Sequence, residues 1–276
     1  MWHGSWCWSR VTGPLAALGV PSLAVDLEGH GLKGRSPEAR WSRPFDPAAF
    51  AAEAAPSAAV TASSAAAELV AEIRRAGGGR PCVVVVHSMA GVVGTAAAEL
   101  APELFAELVY LAAFAPVSGA PVAAYLAEPE NAGEHVSALL VADPAAVGAL
   151  RQDTGNGFGH AAVRDAFYHD VDQETADAAI GLLGPDGPAG FAGETLKITS
   201  QRYGSVRHTY LVCTEDRAVP PALQRRFITE IDAVSAEPTT VVELASAHSP
   251  FLSVPEEFAG VVASVYRAHE QETVTV

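Results

Sequence analysis

Four consecutive valines at positions 83–86 lead without a break into His87 and Ser88, and then into a stretch carrying the small residues Ala90, Gly91 and Gly94. β-Branched side chains suit a pleated strand, whereas glycine and alanine let a helix backbone approach a sheet closely. The run therefore predicts a buried strand that turns sharply into a helix, a unit at home in a parallel sheet covered on both faces. Four further apolar runs have the same strand character: one reaches Asp26, one surrounds Tyr110, and two end at Asp216 and His248. Helical spacing fills residues 9–18, 61–76, 89–100, 221–231 and 255–269. The alanine-biased stretch before residue 70 belongs to the second of these, because Leu69, Val70 and Ile73 fall on one helical face. Alternating strands and helices predict an α/β protein with a mainly parallel sheet.

Between Pro116 and about Ser205 the strand signal disappears. Short helical stretches broken by "GNGFGH" and "GPDGPAGFAG" are too long for a connection between consecutive strands. The expected organisation is a core in two parts, 1–115 and 206–276, interrupted by a helical cap insertion at 116–205.

Seventeen lysines and arginines stand against thirty-two aspartates and glutamates, a net charge of −15. That balance argues against nucleic acid or an anionic membrane surface as a partner. Cys7, Cys82 and Cys213 are odd in number and share no metal-ligand spacing, so they are expected reduced and mostly buried. Residues 169–172, "HDVD", have metal-capable side chains but no second cluster, and neither a metal nor a cofactor is expected. No basic, apolar leader opens the chain and no run approaches about 18 apolar residues, which makes a cytoplasmic protein the expectation. A homodimer stays open, with no segment arguing for it.

Ser88 stands where strand becomes helix. A serine on such a turn is raised above the sheet edge, and the free N–H groups and positive dipole of the helix N-terminus lie where an oxyanion would form. A serine hydroxyl needs a general base, and the base an orienting acid. Asp216 and His248 both fall at later strand ends, in the order Ser, Asp, His. Singly each has a plainer reading: Ser88 as a helix cap, Asp216 as a turn former with Glu215 as its competitor, His248 as a turn residue beside Pro250. Three strand ends in that order make the joint reading the stronger one.

The chain resembles the branch of the α/β-hydrolase superfamily that holds plant methyl esterases, hydroxynitrile lyases and their bacterial relatives. The matching stretches are "HGSWCW" at 3–8, "AVDLEGHG" from Ala24 to Gly31, "HSMAG" at 87–91, "CTEDRAVPPALQ" at 213–224 and "AHSPFLSVPEEFA" up to Ala259, with a weaker match in "FYHDVD" at 167–172. The resemblance implies the α/β-hydrolase fold, Ser88 as nucleophile, Asp216 as acid, His248 as base, and a mostly helical cap over an apolar pocket. It also implies oxyanion donors at the backbone nitrogens of Met89 and Met1. Relatives carry an apolar strand and a first His-Gly pair just before "HGSWCW", so the N-terminal strand of the family is expected to be missing here, and a natural product beginning further upstream is the expectation.

The family's elbow reads Gly-x-Ser-x-Gly, whereas Val86 and Ala90 occupy the glycine positions here. The valine must be accommodated or the serine will be misplaced. Where lyases of the family carry a lysine after the catalytic histidine, this chain has Ser249, which cannot face a developing cyanide anion as a cation would. The expected activity is hydrolysis of a small, apolar carboxylic ester, thioester or lactone through an acyl-enzyme. A lyase of small-molecule metabolism and a catalytically impaired ligand-binding homologue are the alternatives. Trp2, Phe114, Tyr125, Phe167 and Phe251 are candidate substrate contacts, while Phe158, Tyr168 and Phe191 could line a pocket or fill cap core. His87 is expected to be structural and to point away from the serine, His30 to shape a loop, and Trp6 and Trp8 to pack the first helix.

Overall fold

The fold is described for residues 1–274 by a computed structural model. Helices α1 (Ser9–Ala17), α2 (Pro47–Ala52) and α3 (Ala62–Ala76) precede strand β1 (Cys82–His87), and α4 (Ala90–Leu100) connects it to β2 (Phe105–Leu111). The 116–205 segment holds α5 (Val122–Tyr125), α6 (Pro144–Val147), β3 (Ala149–Arg151), α7 (Gly157–Phe167), α8 (Gln173–Gly181), β4 (Asp186–Pro188) and α9 (Gly190–Gly193). Then follow β5 (Arg207–Cys213), α10 (Pro221–Val234), β6 (Thr240–Leu244), α11 (Pro250–Ser253) and α12 (Pro255–Val274). Strands β1, β2, β5 and β6 lie in that order, all pairs parallel, with helices packed around them. Helix α1 packs on α12 and α3 on α4. Helix α3 starts where the sequence can cap it: Ser64 N–H donates to Thr61 Oγ1, and the Ser64 hydroxyl accepts from Thr61 N–H.

Three expectations are corrected. The run reaching Asp26 forms no strand, because an extended segment counts as one only when a neighbour completes its ladder, and β1 occupies the sheet edge. For the same reason the valines of β1 are not uniformly buried: Val83, Val84 and Val85 are half-covered and only Val86 is fully inside. The 116–205 segment is not purely helical either, since β3 and β4 pair antiparallel within it. Arg151, with no exposed surface, explains that pairing locally. Its guanidinium meets both Asp186 carboxylate oxygens at 2.7 and 2.8 Å and donates to the carbonyls of Phe50 at 2.5 Å and Glu53 at 2.6 Å, so the pair is pinned onto α2. Each of its three nitrogens thus finds an acceptor, without which a buried guanidinium would be costly.

Val86 is accommodated one turn into α4. A Cβ added at Gly94 would lie 2.7 Å from Val86 Cγ1 and 3.4 Å from Leu108 Cδ1, so α4 gives up a side chain at the point where β1 has gained one. Gly94→Ala should therefore cost about 1–3 kcal/mol by overpacking, despite alanine's better helix propensity. In a double-mutant cycle with Val86→Ala, urea midpoints should show a favourable coupling of about 1 kcal/mol or more; strict additivity would mean that the two positions do not share this space.

Among the described residues no helix is long and apolar enough to cross a membrane. Cys7 and Cys213 are buried and Cys82 half-buried, all as free thiols.

Candidate active site

Ser88 sits between β1 and α4 with φ at +56°, a left-handed conformation that non-glycine residues seldom adopt. Its backbone is over-determined: Ser88 N–H donates to Leu111 O at 3.2 Å, and Ser88 O accepts from Gly91 N–H at 3.0 Å and Phe114 N–H at 3.1 Å. Strain of this kind persists only when neighbours enforce it. Gly91 makes the approach feasible, because a Cβ there would fall 2.2 Å from Phe114 O. Ala90, the mild departure from the elbow pattern, opens α4. Met89 occupies the N-cap of that helix, where backbone N–H groups have no acceptor within the helix.

Asp216 and His248 meet at the ends of β5 and β6. Asp216 is buried while its neighbour Glu215 is exposed, which separates the two sequence candidates. One carboxylate oxygen, Oδ1, accepts the N–H groups of Ala218 at 2.7 Å and Val219 at 2.9 Å. The other, Oδ2, faces His248 Nδ1 at 2.8 Å and Gln224 Nε2 at 3.3 Å. Gln224, fully buried on α10, also brackets the end of β5 through Cys213 N–H and C=O and donates to Val219 O at 2.7 Å. The acid loop is thus shaped by a residue inside the quoted "CTEDRAVPPALQ" stretch whose role the sequence did not reveal. The base loop is tied to it by Glu215 N–H on Ser246 O at 3.0 Å, and to the 116–205 segment by Ala247 N–H on Asp170 Oδ2 at 2.8 Å.

Acceptor-only partners fix the tautomers of four imidazoles. A carboxylate or carbonyl oxygen cannot donate, so the ring nitrogen facing it carries the proton. His248 is protonated at Nδ1, toward Asp216, and Nε2 is the ring's other nitrogen. His87 donates through Nε2 to His248 O at 2.8 Å, His3 through Nδ1 to Met1 O at 3.0 Å, and His30 through Nδ1 to Glu28 O at 3.1 Å. Burial pushes the pKa of His3 and of His87 well below 6.5, and that of His30 to about 4, so all three are neutral at pH 7. His87 does not point away as expected. It is the residue immediately before Ser88, and its ring lies 4.4 Å from that of His248. β1 ends at His87 and the chain turns there, which carries the ring to the loop that holds His248.

The candidate contacts divide. Phe167 lies 5.4 Å from His248 and 6.0 Å from Trp2, ring to ring. Phe251 stands edge-on to His87 at 5.0 Å, and Trp8 packs on it at 5.3 Å. Trp6 stacks on His3 at 5.5 Å. Phe114 and Tyr125 are drawn instead to Phe227 of α10, and the Tyr125 hydroxyl donates to Glu230 at 2.5 Å. Phe191 stacks on His30 at 5.6 Å, whereas Phe158 is exposed. Asp26 links two of the quoted motifs, accepting Ser5 N–H at 2.5 Å and Leu32 N–H at 2.9 Å. In "HDVD", Asp170 is spent on Ala247 and Asp172 on capping α8.

A profile described as the alpha/beta hydrolase family matches residues 1–261. Among curated proteins, Methylesterase 7 of Arabidopsis thaliana is 27% identical over 95% of this chain and 92% of its own length. Esterase PIR7B of Oryza sativa subsp. japonica is 26% identical over 97% and 93%. Among solved structures, a pyrethroid hydrolase from Sphingobium faniae shares the fold with a TM-score of 0.72 at 22% identity, covering 95% of this chain and 94% of that one.

Proposed function

The chain belongs to the alpha/beta hydrolase family, in the branch of the plant methylesterases, and we propose that it is a serine hydrolase that cleaves a small, uncharged, apolar carboxylic ester, thioester or lactone. The observation that carries this reading is the buried His248, whose Nδ1 faces Asp216 at 2.8 Å and whose ring lies 4.4 Å from that of His87, the residue before a serine held at φ +56°. In the proposed cycle Nε2 takes the Ser88 hydroxyl proton as Oγ attacks the acyl carbon. The tetrahedral oxyanion is met by the backbone nitrogens of Met89 and Met1, and His248 returns the proton to the leaving alcohol. Water then repeats the sequence on the acyl-enzyme. Asp216 stabilises the imidazolium formed at each half-reaction without itself taking the proton.

Residues 116–205 are the cap in this reading, supplying Phe167 beside His248 and the partners of Trp2. The neutral imidazoles of His3, His30 and His87 and the rings of Phe167 and Phe251 favour an uncharged substrate. The ester specificity is supported by relatives named methylesterase and esterase. Position 249 is a fully buried serine, so the residue after the base offers no cation to a cyanide leaving group.

A fluorophosphonate ester tests the proposal without a known substrate. Intact mass should show one adduct per chain on the wild type and none on Ser88→Ala. A folded wild-type protein that stays unlabelled would sink the hydrolase reading and turn the search to bound ligands.

A further inference from the structure

We propose that Tyr168 and His3 form a positioning relay by which the cap sets the oxyanion donor at Met1; the role rests on the hydrolase reading above. Residues 1–3 are held from the 116–205 side at nearly every point. Trp2 lies at φ +66°, a left-handed conformation that is strained for a bulky residue and needs external support. Its indole Nε1–H donates to Leu150 O at 2.8 Å, its carbonyl accepts Gly184 N–H at 2.9 Å, and its ring packs on Phe167. The Met1 side chain is seated on β4: a Cβ at Gly187 would fall 2.1 Å from Met1 Cγ and 2.3 Å from Sδ, so only glycine leaves it room.

The polar link runs through His3. Met1 O can only accept, so His3 Nδ1 donates to it, and the bare Nε2 accepts from the Tyr168 hydroxyl at 2.6 Å. Burial keeps this direction: Tyr168 is completely enclosed, its pKa pushed well above 10, and His3 is held neutral. The Tyr168 ring stands 5.8 Å from that of His3 and 6.0 Å from that of Phe167, which is itself in contact with the base. With the Met1 carbonyl gripped by His3 and its side chain seated on Gly187, two of the substituents on its Cα are fixed. The third, the backbone nitrogen that serves as oxyanion donor, is then fixed in direction as well. Tyr168 touches no reacting atom; it is a positioning residue acting through His3.

The tests are Tyr168→Phe, which removes one hydroxyl and keeps the ring, and two changes at His3. His3→Asn places an amide N–H near the position of Nδ1, and His3→Ala removes it. With a chromogenic ester, Tyr168→Phe should lower kcat by about 10- to 100-fold while KM stays within about twofold, because the loss falls on the charge that develops in the transition state. A trifluoromethyl ketone, whose adduct with Ser88 places an oxyanion in the same hole, should bind more weakly by the same factor. His3→Asn should recover at least about tenfold over His3→Ala, since an amide restores the bond to Met1 O without the tyrosine. Wild-type kcat and ketone affinity in both Tyr168→Phe and His3→Ala would overturn the relay while Ser88 labelling left the hydrolase reading standing. A change confined to KM would overturn it too, making Tyr168 a wall of the pocket. Loss of Ser88 labelling in the wild type would instead remove the hydrolase reading, and the relay's role with it.

Discussion

Asp216→Asn should lower kcat/KM by about 10⁴-fold while leaving Ser88 and the fold in place. The expectation follows from which carboxylate oxygen faces what. Two backbone N–H groups, from Ala218 and Val219, converge on Oδ1, so an asparagine at 216 will turn its carbonyl oxygen toward them. Its NH₂ then occupies the place of Oδ2, 2.8 Å from His248 Nδ1. A donor facing a donor is repulsive, and the imidazole relieves it by moving its proton to Nε2. That is the nitrogen which has to be bare to take the serine proton, so the base is lost by tautomerisation with hardly an atom displaced. The substitution also removes the negative charge that stabilises the imidazolium. Glu215→Gln is the matched control: Glu215 is exposed, and the change should leave kcat/KM within about twofold. Steady-state hydrolysis of a chromogenic ester, with circular dichroism to verify folding, decides the matter. More than a tenth of wild-type activity in Asp216→Asn would mean that Asp216 does not orient the base.

The sequence made the α/β alternation and the three strand ends legible because both rest on local pattern. Residues 83–91 carry strand, turn and helix signals in one stretch, and Asp216 and His248 sit at the ends of β-branched runs that became β5 and β6. What escaped was set by long-range geometry. The run reaching Asp26 has strand composition, but composition cannot say whether a partner lies alongside. The antiparallel pair β3 and β4 is only three residues long on each side, too short for any period to register, and it exists because Arg151 finds Asp186 and two carbonyls of α2's neighbourhood. His87 meets the His248 loop because β1 ends there, a boundary that a run of valines does not mark. Gln224 and Tyr168 carried no motif of their own; a glutamine's value depends on its meeting an acid loop, and a tyrosine's on the imidazole across from it. Val86 was legible as a departure, whereas its accommodation at Gly94 needed the packing of α4 on β1.

Acid should unfold this protein through its histidines before its carboxylates titrate. His30 and His208 are buried, and burial lowers the pKa of each from 6.5 to about 4; His3 and His87 are shifted the same way. Because these folded-state values lie below the unfolded one, the unfolded chain binds more protons whenever the pH is below about 6.5, and stability falls as the pH is lowered through the window from 6.5 to 4. At ~1.4 kcal/mol per pH unit for each group, His30 and His208 alone each withdraw roughly 3 kcal/mol by pH 4. His3 and His87 add to that, against a total stability of about 5–15 kcal/mol for a typical domain. The opposing relief of repulsion among acidic side chains, large for a net charge of −15, is greatest where aspartate and glutamate take up protons, near pH 4 to 5. Urea midpoints should therefore fall steeply from about pH 6.5 to 5. His208 offers a check away from the active site: it stacks on Tyr203 at 4.4 Å, and its Nε2 is buried without a hydrogen-bond partner. His208→Phe should keep the stacking and remove one titrating group, reducing the slope by about 1.4 kcal/mol per pH unit. Midpoints that hold constant from pH 7 down to 5 would show that these imidazoles accept protons without leaving their places in the fold.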